Sequence, residues 1–175
     1  MMRTHGLATV SGETLADLYA RHAPGALRFA YHVSGDRERA RDLVQDAFIK
    51  VAGRFGYLRE PDRFEVYLRR TIVNLHRSRL RRLRVEREHL ERERATGREP
   101  HRDPDVTERD AVWSTILGLP TRQRAAIVLR YYEDVSERET AEILGCSVGA
   151  VNQLVVRATA TLRRSMTDTT EETAR

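Results

Sequence analysis

The sequence predicts an all-α protein of two small helical domains joined by a flexible linker, and three observations carry that expectation. A length of 175 residues leaves room for one domain or two small ones. Five prolines and ten glycines punctuate it, and between them apolar residues recur at helical period without strand-like alternation. Residues 95–106 hold two prolines, one glycine and no bulky apolar side chain before Val106, so they read as a linker. The predicted divisions are 13–84 and 108–165 for the domains, 85–107 for the linker and 166–175 for a disordered tail.

Each helix has its own signal. Leu15, Leu18, Tyr19 and His22 form the face of a short first helix, and Pro24 suits the first turn of a second, carrying Leu27, Ala30 and Tyr31. Gly35 closes that helix and Asp36 caps the next, whose stripe is Ala40, Leu43, Ala47 and Val51, widened by Val44, Phe48 and Phe55. After a break over 56–61, Phe64, Leu68, Ile72 and Leu75 start a long helix with length to run past Arg84. Beyond the linker, Val112, Ile116 and Leu117 mark a helix ended by Gly118-Leu119-Pro120, and Thr121 is placed to cap one carrying Ile127, Val128 and Tyr131. Ser136 and Glu139 form a capping box for a helix with Ala141, Ile143 and Leu144. Gly145 closes it, and Ser147 caps a last helix lined by Val151, Leu154, Val155, Ala158 and Leu162.

Charge is distributed unevenly. Residues 1–84 carry 17 basic and 9 acidic side chains, whereas 108–175 carry 9 and 10, so a polyanion meets the first half first. The single cysteine, Cys146, allows no internal disulfide, and six scattered histidines show no zinc-ligand spacing, so neither metal nor cofactor is expected. No run approaches the roughly 18 to 20 apolar residues of a membrane span, which points to a cytoplasmic protein with no membrane partner. Phosphate-loop, nucleophile-elbow and zincin motifs are missing, so no catalysis is expected.

Three patterns bear on function. A helix of about eight residues, the Gly145-Cys146-Ser147 turn and a second helix with 151/155/158 spacing match a helix-turn-helix more closely than a generic helical corner. Seven arginines and no acid fall between Arg69 and Arg84, and Arg70, Asn74, Arg77, Arg81 and Arg84 share one helix face. A solvated face normally mixes signs, so this one points to nucleic acid, with Asn74 able to bond a base edge and Tyr67 able to stack. Asp42, Gln45, Asp46 and Ile49 share a face off the apolar stripe, which suits either a solvated surface or a protein partner.

Taken together, Asp42-Leu43-Val44-Gln45-Asp46-Ala47-Phe48, Phe64-x-x-Tyr67-Leu68-Arg69-Arg70 with Asn74, Leu119-Pro120-x-Arg122-Gln123-Arg124, and Thr140-Ala141-Glu142-Ile143-Leu144-Gly145-Cys146-Ser147-x-Gly149-x-Val151 resemble an extracytoplasmic-function (ECF) RNA polymerase sigma factor of the sigma-70 family, SigE-like actinobacterial group. The resemblance implies a sigma-2 helical bundle and a sigma-4 helix-turn-helix domain. It implies that Asp42, Gln45, Asp46 and Ile49 dock on the β′ clamp of core RNA polymerase, and that sigma-4 rests on the β flap. It further implies that Tyr67, Arg70, Asn74, Arg77, Arg81 and Arg84 meet the −10 promoter element, and that Ser147, Asn152, Gln153 and Arg157 meet the −35 element. An anti-sigma factor is a further candidate partner.

Two departures stand out. Tyr67 occupies a position where relatives usually carry Trp, and Asn152-Gln153-Leu154 replaces a Lys-Ser-Arg-like run, which predicts an adenine-reading, weakly basic −35 helix. The alternative function is a stand-alone helix-turn-helix transcription regulator binding its operator as a dimer, and a protein-only adaptor is a third, which the arginine run disfavours.

Overall fold

The computed structural model describes residues 15–53, 63–93 and 108–173, and among these every regular element is helical. Helices α1 (Leu15–Ser34), α2 (Arg37–Ala52) and α3 (Phe64–Glu93) form the first half. The second half holds α4 (Glu108–Gly118), α5 (Thr121–Ile127), α6 (Glu137–Leu144) and α7 (Val148–Thr173). The break over 56–61 and residues 94–107 of the linker lie outside the described residues.

The two short helices expected before Gly35 are one helix, α1, with Pro24 inside it. Proline there removes the bond to the carbonyl of Ala20, but both residues lie on the exposed side, where water can take that carbonyl. Leu18, Ala23, Ala26, Phe29, Ala30 and Val33 are buried along the other side and hold the helix continuous. Gly35 then takes φ +74°, and the Asp36 carboxylate accepts the Arg39 N–H at 2.9 Å to start α2.

α3 runs on through Glu93, the extension past Arg84 for which the sequence has the length, and residues 85–93 are mostly strong helix formers, exposed as far as their side chains are described. α7 likewise carries its helical backbone across residues 166–173, where a polar tail was expected. Extending an existing helix costs far less than nucleating one.

The α5 region departs from expectation in two ways. Pro120, not Thr121, is the N-cap, and no side chain caps that end. The helix then widens into a π-helical turn over Val128–Tyr132, closed by the Glu133 N–H donating to the Val128 carbonyl at 3.0 Å. The wider turn leaves Leu129 fully buried and Tyr131 68% exposed, whereas a regular helix was expected to carry Tyr131 on its apolar face.

The apolar stripes of the two halves merge. Phe29, Val33, Leu68 and Ile72 belong to the same buried cluster as Ala125, Val128, Leu129 and Ile143. α3 lies against α6, and α1 lies against α5 and the π-helical turn.

Candidate nucleic-acid interface

Helix α2 presents the acidic face. Ala40, Leu43, Val44, Ala47, Phe48 and Val51 are buried, which by helical period turns Asp42, Gln45, Asp46 and Ile49 outward together. All four are exposed, Ile49 by 63%. Asp42 lies 3.4 Å from Arg79 Nη1 of α3, an exposed pair worth little in itself.

Helix α3 divides the arginine run. Arg69 turns inward, 9% exposed, 2.7 Å from Glu65 and 2.9 Å from Glu133, with its guanidinium 5.8 Å from the centre of the Phe29 ring. Arg70, Asn74, Arg77, Arg81 and Arg84 all face solvent, and the four arginines among them make no ion pair within the described residues. Four unneutralised guanidinium groups on one face repel each other and attract a polyanion. Tyr67 is half-buried in the wall of a cleft of about 420 Å³, between Arg63, Val66 and Arg70 on one side and Ala141, Glu142, Gly145 and Cys146 on the other.

On the inner side of α3 sits His76, 2% exposed, with both ring nitrogens lacking a hydrogen-bond partner among the described residues. Burial, then the nearby charges of Arg124, Arg39 and Arg79, push its pKa down to about 4, so the ring is neutral at neutral pH.

Helices α6 and α7 cross at 93° and form the helix-turn-helix. Ser136 Oγ accepts the Glu139 N–H at 3.2 Å to open α6. Gly145 adopts φ +61°, and the Cys146 N–H donates back to the Ala141 carbonyl at 2.9 Å, a C-cap that suits glycine. Ser147 Oγ accepts the Ala150 N–H at 3.2 Å, so this predicted DNA contact uses one of its two lone pairs capping α7 and retains a hydroxyl proton to donate. Val151 and Ala158 are fully buried, which leaves Asn152, Gln153 and Arg157 exposed. Gln153 Oε1 accepts from Arg157 Nη2 at 3.4 Å, so those two side chains reach solvent as a pair.

The sequence did not point to the contacts that bring the two surfaces together. The Glu133 side chain is 1% exposed and accepts from Arg28 Nε at 3.2 Å and Arg69 Nη2 at 2.9 Å. Arg124 donates to the carbonyls of Val33 at 2.7 Å, Leu119 at 3.2 Å and Leu117. Arg63 pairs with Glu142. Trp113 meets Tyr31, His32 and Tyr132 at ring-centre distances of 6.4, 4.8 and 5.7 Å. Gly35 faces Leu117, whose Cδ2 would lie 2.7 Å from any Cβ at that position. The available signal was the charge contrast between the halves, which favours acids of the second half against arginines of the first.

Among the described residues no single helix is long and apolar enough to cross a membrane. The family pattern described as Sigma-70 region 2 matches residues 18–85, and that described as Sigma-70, region 4 matches residues 109–162. The chain is similar to the RNA polymerase sigma-E factor of Streptomyces coelicolor, 34% identical over 162 residues that cover 89% of this chain and 88% of that protein. It is 31% identical over 166 residues to the ECF RNA polymerase sigma factor SigE of Mycolicibacterium smegmatis, covering 90% of this chain and 63% of that longer relative. Its fold is similar to the sigma factor RpoE solved in complex with the anti-sigma factor NepR from Bartonella quintana, with a TM-score of 0.70, 22% identity, and 87% and 96% of the two chains covered.

Proposed function

The chain belongs to the sigma-70 family as an RNA polymerase sigma factor of the ECF type, and from that premise we propose which of its surfaces meets which partner. Asp42, Gln45, Asp46 and Ile49 dock on the β′ clamp of core polymerase, because an acidic face with an exposed isoleucine repels DNA and suits a protein. Tyr67, Arg70, Asn74, Arg77, Arg81 and Arg84 contact the −10 element. The single observation that carries this assignment is the row of exposed arginines on α3 that make no ion pair among the described residues. Asn152, Gln153 and Arg157, with the Ser147 hydroxyl as a donor, contact the −35 element while the second half rests on the β flap. The units doing this work are residues 13–84 and 108–165. The chain works in the cytoplasm, binds and positions without catalysis of its own, and takes an anti-sigma factor as a further partner.

The closed arrangement is a form the protein leaves when it acts. A side chain at Gly145 would stand 3.7 Å from Arg70 Nη2, so the helix-turn-helix turn lies beside the −10 surface. Elements centred at −10 and −35 are separated by about 85 Å of B-DNA at ~3.4 Å per base pair. One rigid body of this shape does not reach both, so core binding must part the halves.

In-vitro transcription with purified core polymerase on a randomised promoter pool tests the reading. The expected outcome is transcription that depends on the chain and selects two sequence elements. Tight operator binding by the free chain as a dimer, without polymerase, would favour a stand-alone regulator instead.

A further inference from the structure

The outward side of α7 carries an apolar residue that the fold does not use. Val151 and Ala158 are buried, and Val155 and Leu162 are half-buried beside them, which orients the helix. Helical period then places Gly149, Gln153, Val156 and Ala160 on the opposite side. Val156 is 67% exposed, one turn beyond Asn152 and Gln153. Gly149 before it, with nothing within 4 Å of its Cβ position, and Ala160 after it are small, so the isopropyl group of Val156 stands clear of its neighbours along that line.

A lone exposed valine needs no explanation on an ordinary surface. This one occupies the middle of the outward face of the second helix of a helix-turn-helix, the helix that enters a major groove. The one apolar group on a base edge in that groove is the C5-methyl of thymine. Asn152 and Gln153 offer the donor and acceptor pair that suits adenine N7 and N6, and every A·T pair puts a thymine methyl beside that adenine.

We propose that Val156 is a specificity residue of the −35 contact that packs on the C5-methyl of a thymine, so that α7 reads an A·T-containing step by amide hydrogen bonds and methyl contact together. The proposal rests on the placement of α7 in the −35 groove. It makes the loss of basic residues from this helix a change in the means of recognition, from charge toward shape and methyl contact.

The test uses holoenzyme assembled from the full chain and core polymerase, on a promoter selected from a randomised −35 library. Each −35 thymine is replaced in turn by deoxyuridine, which removes the methyl and keeps the pairing. For the wild-type chain, one position should lose about fourfold in affinity, equivalent to ~0.8 kcal/mol for one buried methyl at ~1.4 kcal/mol per tenfold. With Val156→Ala, whose side chain lies outside the core, that position should become indifferent to the methyl. Equal sensitivity in both proteins, or none at any position while scrambling the −35 element still weakens binding, overturns the role of Val156 and spares the groove placement. If scrambling the whole element changes nothing in either protein, both the proposal and the placement beneath it fail.

Discussion

Glu133 and Arg69 meet at 2.9 Å across the join between the two halves, and 1% and 10% of their side chains are exposed. Glu133 follows the π-helical turn, and Asp134 next to it takes φ +49°, so the backbone is bent out of helix where the carboxylate reaches Arg69 and Arg28. The hydrogen bond that Arg28 donates to Glu133 raises the Arg28 pKa, as expected for a guanidinium beside a carboxylate.

Glu133→Ala should therefore loosen the closed form. Removing one partner of a buried pair leaves Arg69 with only the half-exposed Glu65, at a cost of about 3 kcal/mol. Differential scanning calorimetry of the free chain should show a lower or split transition, and small-angle scattering a larger radius of gyration. An unchanged transition would mean that the aromatic contacts and Arg124 suffice to hold the halves together.

Reversing the charge of the outward arginines should separate DNA melting from polymerase binding. Arg77→Glu with Arg81→Glu touches no buried group, and each change turns a phosphate attraction into a repulsion. Open-complex yield, read by permanganate footprinting, should fall on the order of a hundredfold, while core affinity holds. Normal melting by the double variant would remove α3 from the −10 assignment.

Asp46→Arg should act the other way. The residue is exposed, so folding stability should stay within ~0.5 kcal/mol of the parent. Core affinity measured by interferometry should drop about tenfold or more, since each ~1.4 kcal/mol lost is a factor of ten. Unaltered affinity would return the α2 face to ordinary solvated surface.

Acid should destabilise the first half through His76. Its pKa is about 4 when folded against about 6.5 when unfolded, so below pH 6.5 the unfolded chain binds the extra proton. Its contribution is intact above pH 6.5 and falls by up to ~3 kcal/mol as the pH drops to 4. His76→Leu, which also removes both ring nitrogens, should flatten the slope of urea stability against pH over that window. A slope identical to wild type would assign the acid sensitivity to other groups.

Patterns within one helix were legible in the sequence, whereas contacts between helices distant along the chain were not. The stripe of Ala40, Leu43, Ala47 and Val51 placed Asp42, Gln45, Asp46 and Ile49 on the outer face, and Gly145 and Ser147 located the turn before α7. Arg69 looked like its outward neighbours because its partner Glu133 is 64 residues away. Pro24 suggested a break because a proline rule is local, while the buried residues that keep α1 continuous act through α2 and α3. The shift of Tyr131 outward follows from one extra residue in a turn, which periodicity assumes away.

Trp113 is the chain's single tryptophan, and it sits where the halves join, edge-on to His32 and Tyr132 and stacked at 19° on Tyr31. Its indole N–H has no hydrogen-bond partner among the described residues, and the residue is half-buried. Parting the halves exchanges its contacts with Tyr31 and His32 for water, which alters the colour and lifetime of its emission. The protein thus has a built-in optical gauge of its own opening: one chromophore, native to the sequence, whose signal can be followed in a stopped-flow cell as the factor is taken up and released, with no dye attached.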